Sequence, residues 1–489
     1  MTGDTEEQRA QKGVSDMGAS IVRLARGGLG TVALPVEQVP VFASTDVLVI
    51  GGGLAGTTAA IAAARTGASV ILVERYNHLG GLSTGGLVIW IDRMSDWDGR
   101  LVIRGLAEEL LDRLPKDAIK GPTPATWGSR EEAAVREWAP RASAHHGTVT
   151  WAPMIDPEWL KRASLSMISE AGVDVLLHSW ASAPLIEDGR LAGAIIESKQ
   201  GRQAIRAKAV VDCSGDGDMF ARAGEGTEGD IEQDNIHHCA NTASLMSGVD
   251  VDAWMAFRTS DSDGFKQFMR AGREAVKHFI LPMAGWRDDV VVFMGPRFAG
   301  FDVLKIDDLT QLELLSRQAI VDLLHFYKAN APGFEKAWLM LTAPQLGARH
   351  SRRLVGQHRM TAAETRSGLI LDDEIGVSPS LSPNHPTVSV PYGALLPQNT
   401  HNLLVAGRHI STDAQTHTFM REIPQCWLTG HAAGRRGPDG RQRYRGKAGA
   451  SRRHPQRTHQ TRGLFAGGLE PAGLSPLHYS LIPSTSIML

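Results

Sequence analysis

Residues 46–75 read DVLVIGGGLAGTTAAIAAARTGASVILVER. Asp46 to Ile50 is a short apolar, β-branched run of the kind that forms a buried parallel strand. Gly51, Gly53 and Gly56 complete a G-x-G-x-x-G spacing, the Ala-rich run from Leu54 to Thr66 predicts a helix, and Gly67 suits the position past its end. Ser69 to Val73 predicts a second strand with Glu74 at its tip. Each glycine of such a turn has its own task. The first allows a tight turn, the second lets the backbone approach a pyrophosphate, and the third lets helix and strand pack closely. The helix start at Leu54 and Ala55 offers unpaired N–H groups and a positive dipole end to that pyrophosphate. Glu74, 18 residues past Gly56 and followed by Arg75, stands where an acid accepts from ribose hydroxyls.

Two other readings compete with a dinucleotide site. A bare G-x-G-x-x-G often marks an ordinary glycine loop, but here strand, helix, strand and acid follow within about 30 residues, as the motif requires. Residues 46–64 are nearly uncharged, yet three consecutive glycines and the pair Thr57–Thr58 interrupt the roughly 20 apolar residues that a membrane span needs. The chain of 489 residues is 42% hydrophobic and 21% charged, an ordinary globular balance with length for two or more domains. Its net charge of −2 argues against a membrane or nucleic-acid partner. Cys213, Cys239 and Cys426 are far apart and form no C-x-x-C pair, so no metal site is expected. The low cysteine count and an acidic, polar N-terminus without a signal pattern lead to the expectation of a cytoplasmic protein.

A second glycine-rich stretch, Leu79 to Gly86, follows the acidic tip. Backbone amides and small hydroxyls at Gly80, Gly81, Ser83 and Thr84 can approach a cofactor closely, on the path of the flavin half of FAD. A nicotinamide domain has less need of such a loop, so FAD is the expected cofactor. Earlier, Val36 to Ala43 predicts a short edge strand, since Pro40 argues against a central one. Later, Leu101 to Leu114 predicts an amphipathic helix, and Asp156 with Pro157 a helix start, closing at Gly172. Val173–His178, Ala183–Glu187, Leu191–Ser198 and Gln203–Ala207 alternate like a β-meander with an Asp188-Gly189 turn. Ala209 to Cys213 predicts a buried strand that runs into Asp212-Cys213-Ser214-Gly215-Asp216-Gly217-Asp218. These acids invite a calcium-loop reading, but the EF-hand's later Glu is missing and a helix starts at Met219.

The pieces GGGLAG, VER and LGGLSTGGLV together resemble the opening of FAD-dependent oxidoreductases of the glutathione-reductase superfamily. More narrowly, the chain is similar to the bacterial FAD-dependent oxidoreductases whose distant relatives include the flavin subunit of heterodisulfide reductase. The resemblance runs in patches from Val41 to Gly434. It implies a glutathione-reductase-type Rossmann domain, a parallel sheet plus β-meander, carrying an inserted α+β substrate domain. It also implies that Gly215 and Asp216 form the second strand-to-loop element at the cofactor, and that Gly407 and Arg408 belong to the closing flavin motif, where many relatives carry an acid at the Arg408 position. Arg421 and Pro424 match the R-x-x-P pattern that follows, and a helix opened by Pro424 would aim its N-terminus at the flavin. Arg349, Arg352 and Arg353 match the family's arginine-rich R-x-S-R-R segment, with His350 where an acid is usual. An arginine fork there either holds a carboxylate or phosphate or serves structural ion pairs.

The expected domains are a flexible extension (1–40), a discontinuous FAD-binding domain (41–235 and 386–434), a substrate domain (236–385) and a tail (435–489). Within the third, Thr310–Tyr327 and Glu335–Leu341 predict helices. Val388–Leu396 and His401–Ala406 predict strands. From Arg435 onward ten Lys/Arg face two Asp/Glu, a net of +8 that leaves −10 for the rest. Gly, Arg and Pro punctuate this tail, which reads either as a disordered basic segment or as a change of reading frame. The expected function is FAD-dependent oxidoreduction of a small-molecule substrate, by hydride transfer to flavin N5, with an unspecified electron acceptor. The alternatives are an electron-transfer subunit of a larger complex and an inactive FAD-binding protein. His409, beside the flavin loop, is the candidate base, with Arg352 and Arg421 as further catalytic candidates.

Overall fold

A computed structural model describes residues 30–229 and 239–435. The expected turn near Ile21 to Ala25 and the tail beyond Arg435 lie outside the described residues. The quoted stretch forms strand β1 (Val41–Ile50), helix α1 (Leu54–Ala64) and strand β2 (Val70–Val73). Val36 to Pro40 form no strand of their own. The edge strand expected there is instead the start of β1, because Ala204 N donates to Pro40 O at 2.9 Å and the ladder runs on, past one shift of register between Val41 and Ala43, to Ile50. Every α1 residue except Ala64 is buried, so the helix is internal rather than amphipathic.

Helix α2 (Leu106–Asp112) is shorter than Leu101–Leu114, since Leu101 bridges Ser95 and Gly105 takes a φ of 73°. Helix α3 (Pro157–Glu170) starts as expected, with Glu158 N donating to Asp156 Oδ1 at 2.8 Å, and Gly172 (φ 73°) ends it. Strand β3 (Asp174–Leu176) pairs parallel with β2 and is not the first strand of the meander. The meander is β4 (Trp180–Glu187), β5 (Arg190–Ser198) and β6 (Gly201–Asp212), and Asp188 and Gly189 both take positive φ between the first two. The two strands predicted at Gln203–Ala207 and Ala209–Cys213 are one, because Ile205 to Asp212 pair in one register with Ala43 to Ile50 of β1. A short helix α4 (Asp218–Arg222) follows.

Residues 240–342 build a second, antiparallel sheet. It contains β7 (Ser244–Ser247), helices α5 (Val251–Ser260) and α6 (Ser262–Ala275), β8 (Met283–Ala284), β9 (Val290–Phe293), helix α7 (Ile306–Asn330) and β10 (Trp338–Thr342). Its order is β8-β9-β7-β10. The helix expected over Glu335–Leu341 is therefore wrong, since pairing with β7 overrides the helix-forming Leu and Met of this stretch. Its core is aromatic: Phe268, Tyr327 and Phe334 meet Trp254 edge-on at 5.4–5.7 Å. Val388–Leu396 is a strand only to Pro391, then a tight 3₁₀ turn. The described chain closes with β11 (Leu403–Val405), α8 (Ala414–Met420) and α9 (Ile423–Gly434).

The architecture is mixed α/β. The first sheet has the order β3-β2-β1-β6-β5-β4, and β11 also pairs parallel with the end of β6. Strand alternation sorts the core into two layers. Val47 and Val49 point to the face covered by α1, α3 and α9, whereas Leu48 and Ile50 face Phe220 of α4 and the meander. α9 lies against α1, where Thr58 Oγ1 donates to Trp427 O at 3.1 Å.

His431 on α9 is half-buried beside Gly105, and its pKa falls to about 4 through burial first, then the nearby charges of Arg435 and Arg65. A neutral histidine ordinarily titrates near 6.5, so the folded state loses stability as pH drops from about 6.5 to 4 and keeps it above. The difference is worth about 3 kcal/mol at full protonation. A His431→Gln variant should therefore show a flatter acid limb in denaturant midpoints between those pH values. Superimposable limbs would exclude this role.

Candidate functional site

Strands β1, β6 and β11 end side by side: Ile50 is in register with Asp212, and Asp212 with Val405. Their carboxyl ends present the loops at 51–56, 213–217 and 406–408 to one place, where ligands bind on open α/β sheets. A cavity of about 460 Å³ opens there. Of the residues expected from the sequence, Gly51, Gly53, Leu54, Ala55, Glu74, Arg75, Gly81, Gly215, Gly407, Arg408, Arg349 and Arg421 line it.

The others support it from behind. A Cβ on Gly56 would run into Gly51 O, so this glycine serves helix–strand packing. Gly80 (φ 90°) allows the turn in which Thr84 Oγ1 donates to Leu79 O at 2.7 Å, and Ser83 is fully buried. α1 begins without a capping side chain and without an acid in its first turn, so its first amides face the cavity bare. A Cβ on Gly53 would meet only Gly81 Cα, at 3.9 Å. Glu74 is buried and staples the loop, accepting from Gly52 N at 2.6 Å and Tyr76 N at 2.8 Å.

Asp216 sits behind the wall as a hub. It accepts from Arg408 Nη2 and from Ser351 Oγ at 2.8 Å, with Arg75 Nη2 at 3.9 Å. Burial alone would raise its pKa, but Arg408 and Arg75 outweigh that and hold it below the ordinary value. Arg352 donates to Asp216 O at 2.8 Å and to Asp218 at 3.2 Å, and the buried Arg353 donates to Thr412 O at 3.1 Å. Within the arginine-rich segment, then, only Arg349 reaches the cavity, and Arg352 does not.

His409 does not reach it either. Its side chain is fully buried, its ring stacks on Phe220 at 5.6 Å, and Nε2 lies 3.5 Å from Asp212 Oδ1. Asp212 itself escaped the sequence reading as a site residue. It accepts from Ser214 Oγ at 2.6 Å and from Met219 N and Phe220 N at 2.9 and 3.0 Å, fixing the loop to the start of α4. Burial pushes its pKa up, but His409 and the hydroxyl and amide of Ser214 pull it down to about 2. The sequence signal was an acid ending a buried strand two residues before a serine.

The inner end of the cavity was not anticipated. Trp90, Asp92, His145, Asn241, Gln345 and Arg297 line it with Arg349, Arg421 and Glu422. Trp90 Nε1 donates to Ala142 O at 3.1 Å, and its ring lies 5.6 Å from that of His145. His145 Nε2 is buried with no hydrogen-bond partner, while Ala142 accepts from the imidazole. Burial lowers the pKa of His145 and Arg93 adds to this, against the pull of Asp92, so the ring is neutral near pH 7. Burial and the proximity of Arg421 and Arg297 lower Arg349 to about 10. Burial raises Glu422, against the pull of Arg421, whose Nη2 lies 3.1 Å away. Cys213 and Cys426 also line the wall, with pKa values raised by burial, so both are thiols. Among the described residues no group of His, Cys, Asp and Glu is arranged to hold a metal, and no helix is long and apolar enough to cross a membrane.

The model of the family described as FAD dependent oxidoreductase matches residues 46–436. Among curated proteins, the digeranylgeranylglycerophospholipid reductase of Methanoculleus marisnigri is 30% identical over 218 residues, 42% of this chain and 47% of that protein. Thiamine thiazole synthase of Aeropyrum pernix is 29% identical over 155 residues, 31% of this chain and 43% of that protein. The chain spans about half the length of the curated relatives it matches. Among solved structures, a geranylgeranyl bacteriochlorophyll reductase-like protein from Thermoplasma acidophilum has a TM-score of 0.41 at 17% identity, covering 80% of this chain and 77% of that one.

Proposed function

Because the chain belongs to the family of FAD-dependent oxidoreductases, we propose that its FAD occupies the cavity at the ends of β1, β6 and β11 and that an organic substrate meets it at the inner end. The observation that carries this reading is the continuity of one cavity from the bare start of α1 to Trp90, His145 and Arg349. Gly53, Leu54 and Ala55 would hold the pyrophosphate by backbone amides, while Gly51, whose own amide donates to Val73 O at 2.7 Å, turns the chain beneath it, and Glu74 would accept from ribose with lone pairs its amide bonds leave free. Gly81, Gly215, Gly407 and Arg408 would flank the flavin half. When bound, FAD supplies the hydride acceptor at N5. The meander supports a cofactor domain of the glutathione-reductase type, split over 41–235 and 386–434, with 236–385 supplying much of the substrate wall.

Proton transfer we assign to His145, a neutral imidazole with a free nitrogen on the cavity wall. His409 holds the Gly407–Arg408 loop through Asp212, and Arg352 holds Asp216 and Asp218. The curated relatives are named for digeranylgeranylglycerophospholipid reduction, but they match over about half their length, so the substrate is argued below from this chain's own residues.

Two measurements test the proposal. The purified full chain should release one FAD per molecule on denaturation and be bleached anaerobically by a member of a panel of alcohols, amines and hydroxy acids. Bleaching only in the presence of a second protein would favour the electron-transfer alternative, and a flavin inert to both would sink the enzymatic reading. With the bleaching substrate, His145→Gln should lower kcat by a factor of about 10² to 10⁴ with FAD content unchanged. An unaltered kcat would remove His145 from the chemistry.

A further inference from the structure

We propose that the inner end of the cavity is an anion site that takes an organic carboxylate on an apolar body, gripped by Arg349 and Arg421. This rests on the reading of that end as the substrate side of the FAD site. Three arginines, Arg297, Arg349 and Arg421, line this wall. Only two acids, Asp92 and Glu422, stand among them, and both are engaged: Arg93 Nε lies 3.2 Å from Asp92, and Arg421 Nη2 lies 3.1 Å from Glu422. Counting Arg93, four cations face two carboxylates. Among the described residues no carboxylate lies within 4.0 Å of the Arg349 or Arg297 guanidinium, although Arg349 is largely enclosed. Burial first, and then the like charges of Arg421 and Arg297, depress Arg349, and the charge of an incoming anion would oppose both.

Uncharged donors at the same place also lack partners. Asn241 is 2% exposed, yet its Nδ2 is buried without a hydrogen bond, as is Arg421 Nε. Buried polar atoms are rarely left so unless something else completes them. Donors from a fork-shaped guanidinium and an amide match the two oxygens of a carboxylate. The rest of the wall, with Val88, Trp90, Met283, Met294, Leu381 and Phe419, is apolar or aromatic, so the body attached to the carboxylate is expected to be apolar. The net excess of two positive charges is enough for a monoanion, and the acids beside it disfavour a more highly charged phosphate.

The test uses the FAD-loaded full chain, with benzoate as probe, benzamide as its neutral isostere and inorganic phosphate as the competing anion. Binding is read by calorimetry and by the shift it causes in the flavin spectrum, so no turnover is needed. Benzoate should bind at least tenfold more tightly than benzamide or phosphate. Arg349→Met and Arg421→Met should each weaken benzoate at least tenfold while FAD content holds. Equal binding of benzoate and benzamide by the wild-type protein, or preference for phosphate, would overturn the inference without any variant having to fold. Protein that carries no FAD would instead count against the cofactor reading, and the two failures are told apart by the flavin content of the same sample.

Discussion

A Gly53→Asp variant is expected to purify folded and colourless. Gly53 has φ −66° and ψ −169°, extended values open to any residue, and its Cβ would meet only one atom, at 3.9 Å. The substitution therefore strains nothing. It also places a preferred N-cap residue before α1, which has no capping side chain, so apoprotein stability should rise by about a few tenths of a kcal/mol. The same carboxylate engages the amides assigned to the pyrophosphate and opposes its charge. At about 4 Å and an effective dielectric near 20 the repulsion is on the order of 4 kcal/mol, about a thousandfold in Kd. Flavin absorbance of the purified variant and its denaturant midpoint measure the two effects. A full flavin spectrum in soluble Gly53→Asp protein would refute the placement of FAD.

Gly430→Val should do the opposite and fail at the level of the fold. Gly430 lies on α9 where the helix crosses α1, and an added Cβ would fall within the van der Waals radii of Ala55 O and Thr58 Oγ1. Gly434 meets Ala59 O in the same way one turn on. Both obstacles include backbone, so no rotamer change relieves them, and α9 would have to move off α1. Thr58 Oγ1 would then lose its bond to Trp427 O, and Thr429 Oγ1 its grip on Gly407 N. A loss of at least about 3 kcal/mol is expected. A soluble variant with the wild-type denaturant midpoint would show that the helices can separate at no penalty.

The contrast between these glycines shows what the sequence could say. The 46–75 unit is legible because its strand, turn, helix and acid are local, and each carries its own chemical signature. Asp156-Pro157 and Gly172 bound α3 for the same reason. Residues 335–341 misled because their strand exists only by pairing with β7, nearly a hundred positions away. His409 was plausible from its neighbours, but the sequence does not reveal that Phe220 and Asp212 enclose it. The inner end of the site draws Trp90, His145, Asn241, Gln345 and Arg421 from five separate stretches, so no spacing rule could gather them. For His145 the one local hint was a His-His pair ahead of Gly147 in a loop with tryptophans.

The contact between α1 and α9 also sets a timetable. The bond from Thr58 to Trp427 spans 369 positions of chain, and β11 reaches β6 from almost as late in the sequence. Such closures carry a large loop entropy and are slow to form. On a ribosome the glycine loop would emerge early and wait, with α1 and its apolar faces uncovered, until residues 403–434 had been made. Cofactor capture is thus an event that follows synthesis of residues 403–434, and the half-built sheet is the species that a chaperone would have to shield.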